Sequence, residues 1–134
     1  MKNILFGVRS TVAAALVFGL SHAAFGATDL TVYTAVEAED LKKYAARFNE
    51  DHPDIKINWV RDSTGIVTAK LLAEKENPRA DVIWGLAATS LLLMKGEGML
   101  HAYAPSGLDG LDSKFRDKSD PPTWTGMDAW VAAI

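Results

Sequence analysis

The 134-residue chain contains no cysteine, which excludes disulfides, a thiolate nucleophile and cysteine-ligated zinc. Nor is positive charge in excess: 14 Lys+Arg stand against 17 Asp+Glu, a formal net charge of −3. A mildly acidic protein is a poor candidate for neutralising a phosphate backbone, so nucleic acid is not expected as a partner. Long apolar runs are missing as well. The stretch from Thr11 to Leu20 is almost wholly apolar, but it is half as long as the ~20 residues that cross a bilayer. The sequence also lacks repeats, a phosphate-loop glycine pattern and a nucleophile–base pair. His52 and His101 are isolated and read as surface histidines, and Asp109, Asp112, Asp117 and Asp120 do not follow the spacing of a calcium loop. No enzyme activity, cofactor or metal is expected.

What is present begins with a leader. Lys2 and Arg9 precede the apolar stretch and small residues follow it, the layout of a cleaved secretion signal. Ala24 and Gly26 put small residues three and one positions before a cut, so residues 1–26 are expected to be removed and the mature chain to start at Ala27. An uncleaved anchor is the alternative, and the short apolar core speaks against it. With the leader go Lys2 and Arg9 and no acidic residue, which takes the net charge from −3 to −5. No cysteine follows the apolar run, so attachment as a bacterial lipoprotein is excluded.

Over the mature residues, 27–134, strand and helix patterns alternate. Leu30 to Thr34 alternates apolar and polar residues and is rich in β-branched ones, a strand. Leu41, Tyr44, Ala45 and Phe48 then fall at i, i+3, i+4 and i+7, predicting an amphipathic helix over 37–50 that Pro53 stops. A second strand follows at 55–60, with Trp59 read as core. The next helix is predicted over 66–76, with Val67 and Leu71, and their neighbours Ala69 and Leu72, on its buried side. Ala80 to Trp84 is a short buried strand, and a third, short helix runs through Met94 and is closed by Gly96 and Gly98. Beyond Leu100 the pattern weakens to a loop with one helical turn near Lys114 to Asp117, and a strand is expected to begin at Ala129. The order β-α-β-α-β-α implies parallel strands joined by right-handed crossovers.

In such a sheet, ligands bind beyond the carboxyl ends of the strands. Three turns lie there: Thr34-Ala35-Val36-Glu37, Asp62-Ser63-Thr64-Gly65 and Gly85-Leu86-Ala87-Ala88-Thr89. Each leads into a helix N-terminus, whose free N–H groups and positive dipole end attract an anion. Each turn alone reads better as an ordinary cap. Together they describe a cradle for a phosphate-like or carboxylate oxyanion. The candidate ligand-binding residues are Thr34, Ala35, Glu37, Ser63, Thr64, Gly65, Ala87, Ala88 and Thr89. Trp84, at a strand end, is either core or pocket wall.

The segments Val32-Tyr33-Thr34-Ala35, Ile55-Lys56-Ile57, Ala69-Lys70-Leu71 and Ala80-Asp81-Val82-Ile83-Trp84 resemble the periplasmic substrate-binding proteins of ABC importers. The similarity is to the branch that takes ferric ion, thiamine and polyamines. Within it, Asp62 to Val67 together with Gly85 to Thr89 most resemble the 2-aminoethylphosphonate-binding proteins. The resemblance implies a type II periplasmic-binding-protein-like α/β lobe with a parallel βαβαβ core. It also implies two lobes that close on the ligand, a membrane permease and ATPase as partners, a periplasmic location and a monomer. Residues 27–134 would then be the N-terminal part of such a protein, incomplete without its second lobe and marginally folded alone. Ferric-ion binders of the branch carry a histidine in the first turn, where this chain has Thr34-Ala35-Val36-Glu37. Iron is therefore the less favoured ligand, and Glu37 the candidate partner for an ammonium group. An exported phosphate- or phosphonate-handling enzyme on a similar fold is the remoter alternative.

Overall fold

The computed structural model describes residues 27–127 and Ala129. The leader, 1–26, and the strand expected to begin at Ala129, beyond that first residue, lie outside the described residues. Three strands and three helices alternate: β1 (Thr28–Thr34), α1 (Ala38–Asp51), β2 (Ile55–Arg61), α2 (Thr64–Ala73), β3 (Val82–Trp84) and α3 (Ala88–Gly96). Two short 3₁₀ turns, Leu108–Gly110 and Ser113–Phe115, follow. The three strands pair in parallel, in the order β2-β1-β3. The α/β reading and the element order therefore stand, with boundaries moved by a few residues: β1 starts two residues earlier, and α2 runs from Thr64 rather than Ile66 and stops at Ala73.

Strand alternation assigns the two faces. Tyr33, Val60 and Ile83 point to one face, where α2 and α3 bury them under Val67, Leu71, Leu86 and Met94. Met94 is fully buried and Val67 nearly so. A Leu71→Ala cavity in this cluster costs about 2–5 kcal/mol. The Tyr33 hydroxyl, buried with its ring, donates to Glu74 Oε2 at 2.7 Å, and Lys70 Nζ reaches Glu74 Oε1 at 2.6 Å. The Lys70 ammonium and then the Tyr33 hydroxyl hold the Glu74 carboxyl below the usual range, while burial and the Glu74 bond push the Tyr33 phenol up.

The other face is thinner. Leu30, Val32, Ile57 and Trp59 share an apolar groove of about 590 Å³ with Tyr44, Ala45 and Phe48 of α1, the one helix that lines it among the described residues. Trp59 is half-buried rather than core, with its ring 5.8 Å from that of Trp84. Of the expected α2 neighbours, Ala69 is exposed and Leu72 half-buried.

β3 is three residues long and pairs only with Val32, Tyr33 and Thr34. One residue before it, Asp81 extends the contact: its N–H donates to the Thr31 carbonyl at 2.9 Å, and its Oδ2 accepts the Thr31 N–H at 2.7 Å. Beyond α3, the chain is tied back by Asp117, which is buried. Its carboxylate accepts from Lys95 Nζ at 2.5 Å, from Ser119 Oγ, and from the Thr123 N–H and hydroxyl at 3.1 and 2.7 Å. The 3₁₀ turn at Ser113–Phe115 lies one residue before the predicted helical turn.

Candidate functional site

The parallel register aligns Thr34 with Arg61 on one side and with Trp84 on the other. The last residues of all three strands therefore form one edge, and the three turns leave from it side by side. From β1 the chain moves out to β2 and then returns past β1 to β3. Connections thus diverge on either side of β1, the position at which open α/β sheets hold ligands.

The first turn is closed by Thr34, which is fully buried and whose Oγ1 accepts the Val36 N–H at 3.1 Å. Ala35 packs on the core cluster. The third turn begins at Gly85, with φ +70°. A Cβ on Gly85 would lie 2.1 Å from Val36 Cγ2. Only glycine combines that conformation with that approach, and it lets the first and third turns touch. The second turn joins them through the backbone, since the Asp62 N–H donates to the Thr34 carbonyl at 3.2 Å.

In the second turn the Ser63 N–H donates to Asp62 Oδ1 at 2.7 Å, while the Ser63 side chain makes no capping bond. Thr64 is half-buried and Gly65 exposed. The Thr64 carbonyl accepts the Thr68 hydroxyl at 2.6 Å, and Thr68 Oγ1 lies 2.9 Å from Ser90 Oγ, which couples α2 to α3. In the third turn, Ala87 caps α3 with backbone alone, and Ala88 and Thr89 are exposed. Glu37 stands at the N-cap of α1, again without a capping side-chain bond. None of the three helices is closed by a side chain. The Asp40 and Ser90 N–H groups donate to the Glu37 and Ala87 carbonyls at 3.0 and 2.9 Å, and no capping side chain competes with water or an anionic ligand for the remaining first-turn donors.

Sequence reasoning missed Arg61. A cation closing a strand carries no sequence signal, and only the register shows it beside Thr34. Its Nε donates to the Val36 carbonyl at 2.7 Å and its Nη2 to Glu37 Oε2 at 2.6 Å. Glu37, the candidate ammonium partner, is thus paired with a cation of the protein itself.

A cavity of about 650 Å³ lies away from these turns. It runs along the outer edge of β3, between Val82 to Gly85 and the segment from Met99 to Tyr103, and meets the cradle only at Gly85. Its lining is mostly apolar, with Asp81, His101, Thr123 and Thr125 among the residues that border it. Among the described residues, no group of three or more His, Asp or Glu could hold a metal ion, and no helix is long and apolar enough to cross a membrane.

No family model matches the chain. It is 31% identical over 116 residues to the Probable ABC transporter periplasmic-binding protein y4fP of Sinorhizobium fredii, covering 87% of this chain and 32% of that protein. An uncharacterized protein of Haemophilus influenzae is 28% identical over 88 residues, which are 66% of this chain and 25% of that protein. The chain therefore spans about a third or less of the curated relatives it matches. Among solved structures, the periplasmic binding protein AfuA from Actinobacillus pleuropneumoniae, with fructose-6-phosphate bound, superposes with a TM-score of 0.62 at 29% identity. That match covers 74% of this chain and 30% of AfuA. The chain has the type II periplasmic-binding-protein fold. The periplasmic binding protein P5PA (TM-score 0.59, 25% identity, 66% of this chain and 28% of its own) shares that fold. So does iron-bound HitA from Pseudomonas aeruginosa (TM-score 0.61, 20% identity, 68% and 29%). In this periplasmic-binding-protein fold, the edge carrying Thr34, Arg61 and Trp84 is the ligand-side edge by the general rule for open α/β sheets.

Proposed function

We propose that the chain belongs to the extracytoplasmic solute-binding component of an ABC transporter, and that its cradle holds the oxyanion of a small organic phosphonate such as 2-aminoethylphosphonate. The observation that carries this reading is the common edge of three helix N-termini with no side-chain caps, set beside Ser63, Thr64 and Thr89. Such an edge suits a tetrahedral oxyanion, which can take N–H and hydroxyl donors from several directions at once. Two of the proteins it is similar to, y4fP and AfuA, are named as periplasmic binding proteins, and AfuA was solved with fructose-6-phosphate bound, which supports an organic phosphate or phosphonate as the chemical class. Delivery would be to a membrane permease and its ATPase, by a monomer exported to the periplasm after removal of residues 1–26.

Ferric ion is the second reading, and iron-bound HitA supports it through the shared fold. The first turn, Thr34-Ala35-Val36-Glu37, offers a metal no imidazole. Calorimetry on the full-length protein separates the two, with 2-aminoethylphosphonate, fructose 6-phosphate, inorganic phosphate and ferric citrate as titrants. The expected result is tightest binding of 2-aminoethylphosphonate. Binding of ferric ion with no response to any phosphorus oxyanion overturns the proposal. Changing Ser63 and Thr64 together to Ala should weaken binding, each lost bond to the charged ligand costing about 1.5–3 kcal/mol. Unaltered affinity would return both residues to a purely structural role.

A further inference from the structure

The Arg61–Glu37 pair occupies the mouth of the cradle, yet it has the features of a contact that opens easily. Glu37 is 74% exposed and Arg61 37% exposed at the side chain. Exposed ion pairs of this kind contribute little, so opening one costs a ligand no more than about fivefold in affinity. The two ends are held unequally. Arg61 is anchored by its Nε bond to the Val36 carbonyl at 2.7 Å, whereas the Glu37 side chain has Arg61 as its hydrogen-bond partner and no capping bond to α1. If the pair opens, Arg61 stays at the strand end and Glu37 swings. The carboxylate on Arg61 thus sits where an anionic group of a ligand would be drawn.

Resting on the phosphonate reading above, we propose that Arg61 and Glu37 form a charge clamp that selects zwitterions: an oxyanion replaces Glu37 on Arg61, and the freed Glu37 carboxylate takes the ligand's ammonium group. The selectivity follows from charge bookkeeping at the edge. A simple anion such as ethylphosphonate opens the pair and leaves Glu37 without a partner beside a second negative charge. Aminoethylphosphonate opens the same pair and supplies a partner to each half. Asp62, another carboxylate at this edge, accepts the Ser63 N–H at 2.7 Å, whereas the Arg61 guanidinium bonds to Glu37 and the Val36 carbonyl.

The test compares 2-aminoethylphosphonate with ethylphosphonate by calorimetry on the full-length protein. The wild type should prefer the amino compound by about ten- to a hundredfold, the range of one charge-assisted hydrogen bond. Glu37→Gln should tighten ethylphosphonate, weaken 2-aminoethylphosphonate and bring the preference within about threefold. Arg61→Gln should weaken both compounds by about tenfold or more, and Arg61→Lys, which keeps the charge, should recover part of that loss. Matching thermal midpoints of the variants and the wild type would assign these changes to the site rather than to folding. A preference unchanged in Glu37→Gln overturns the clamp, as does a preference that collapses only in Asp62→Asn. Either result would leave the phosphonate reading intact if wild-type binding persists. Absence of phosphonate binding by the wild type removes the reading itself, and the clamp with it.

Discussion

Changing Gly85 to Ala should disturb the cradle by two separable effects. The first is conformational: φ is +70°, and a residue with a Cβ in the left-handed region costs about 1–2 kcal/mol. The second is steric. The new Cβ would fall 2.1 Å from Val36 Cγ2, while the next atoms, Val36 Cβ and Thr34 Oγ1, lie at 3.5 and 3.7 Å, ordinary contact distances. Overpacking of this kind costs about 1–3 kcal/mol, so Gly85→Ala should lose about 2–5 kcal/mol in all. Trimming Val36 to Ala removes Cγ2 and with it the clash. In that background Gly85→Ala should cost only the conformational part, about 1–2 kcal/mol. Urea denaturation of the four proteins of this cycle measures the difference directly. An equal loss with and without Val36→Ala would show that the first and third turns do not touch, and the cradle geometry would have to be redrawn.

Three further outcomes are expected. The Lys95 ammonium, then the Ser119 hydroxyl and the Thr123 groups, outweigh burial and hold the Asp117 carboxyl far below the usual range. Its contribution is therefore complete above the unfolded-state value near 4 and is lost as pH falls below it. Asp117→Asn should lower the urea midpoint at pH 7, and the gap to wild type should shrink between pH 4 and 2; a gap independent of pH would show that the charge has no part in the anchor. Mass spectrometry of protein from the periplasm should find an N-terminus near Ala27, whereas full-length chain recovered from the inner membrane would refute cleavage. Residues 27–134 expressed alone should bind a hydrophobic dye and melt without a sharp transition, because Val82 and the groove beside Trp59 and Trp84 are uncovered among the described residues. A cooperative melt with micromolar ligand binding would contradict that expectation.

The elements were legible in the sequence because each announces itself locally. Alternation marks β1 and β2, the spacing of Leu41, Tyr44, Ala45 and Phe48 marks α1, and Pro53 marks its end. The faces were harder to read. A tryptophan in a strand reads as core, but Trp59 belongs to the side that only α1 covers, and strand order decides that. The three turns could be named because a parallel sheet sends all its βα turns to one edge. How they touch could not be, since Gly85 against Val36 joins residues 49 positions apart and each looks ordinary alone. The same holds for Arg61 with Glu37 and for Lys95 with Asp117. Charged residues are common at such positions, and only the register and the fold of the loop bring these ones together.

The shortness of β3 has a mechanical consequence. Among the described residues, β1 is flanked on both sides only over Val32, Tyr33 and Thr34, just before that it leans on the Asp81 bonds to Thr31, and toward Thr28 it has β2 alone. Stiffness in this sheet is therefore graded along the strands, with the softer half at the amino end and the firmer half under the turns. Amide exchange should slow along β1 from Leu30 to Thr34 as the second neighbour is engaged. Donors projecting from the firm end keep their mutual spacing while the far end breathes, so a ligand captured there would lose little affinity to motion of the scaffold beneath it.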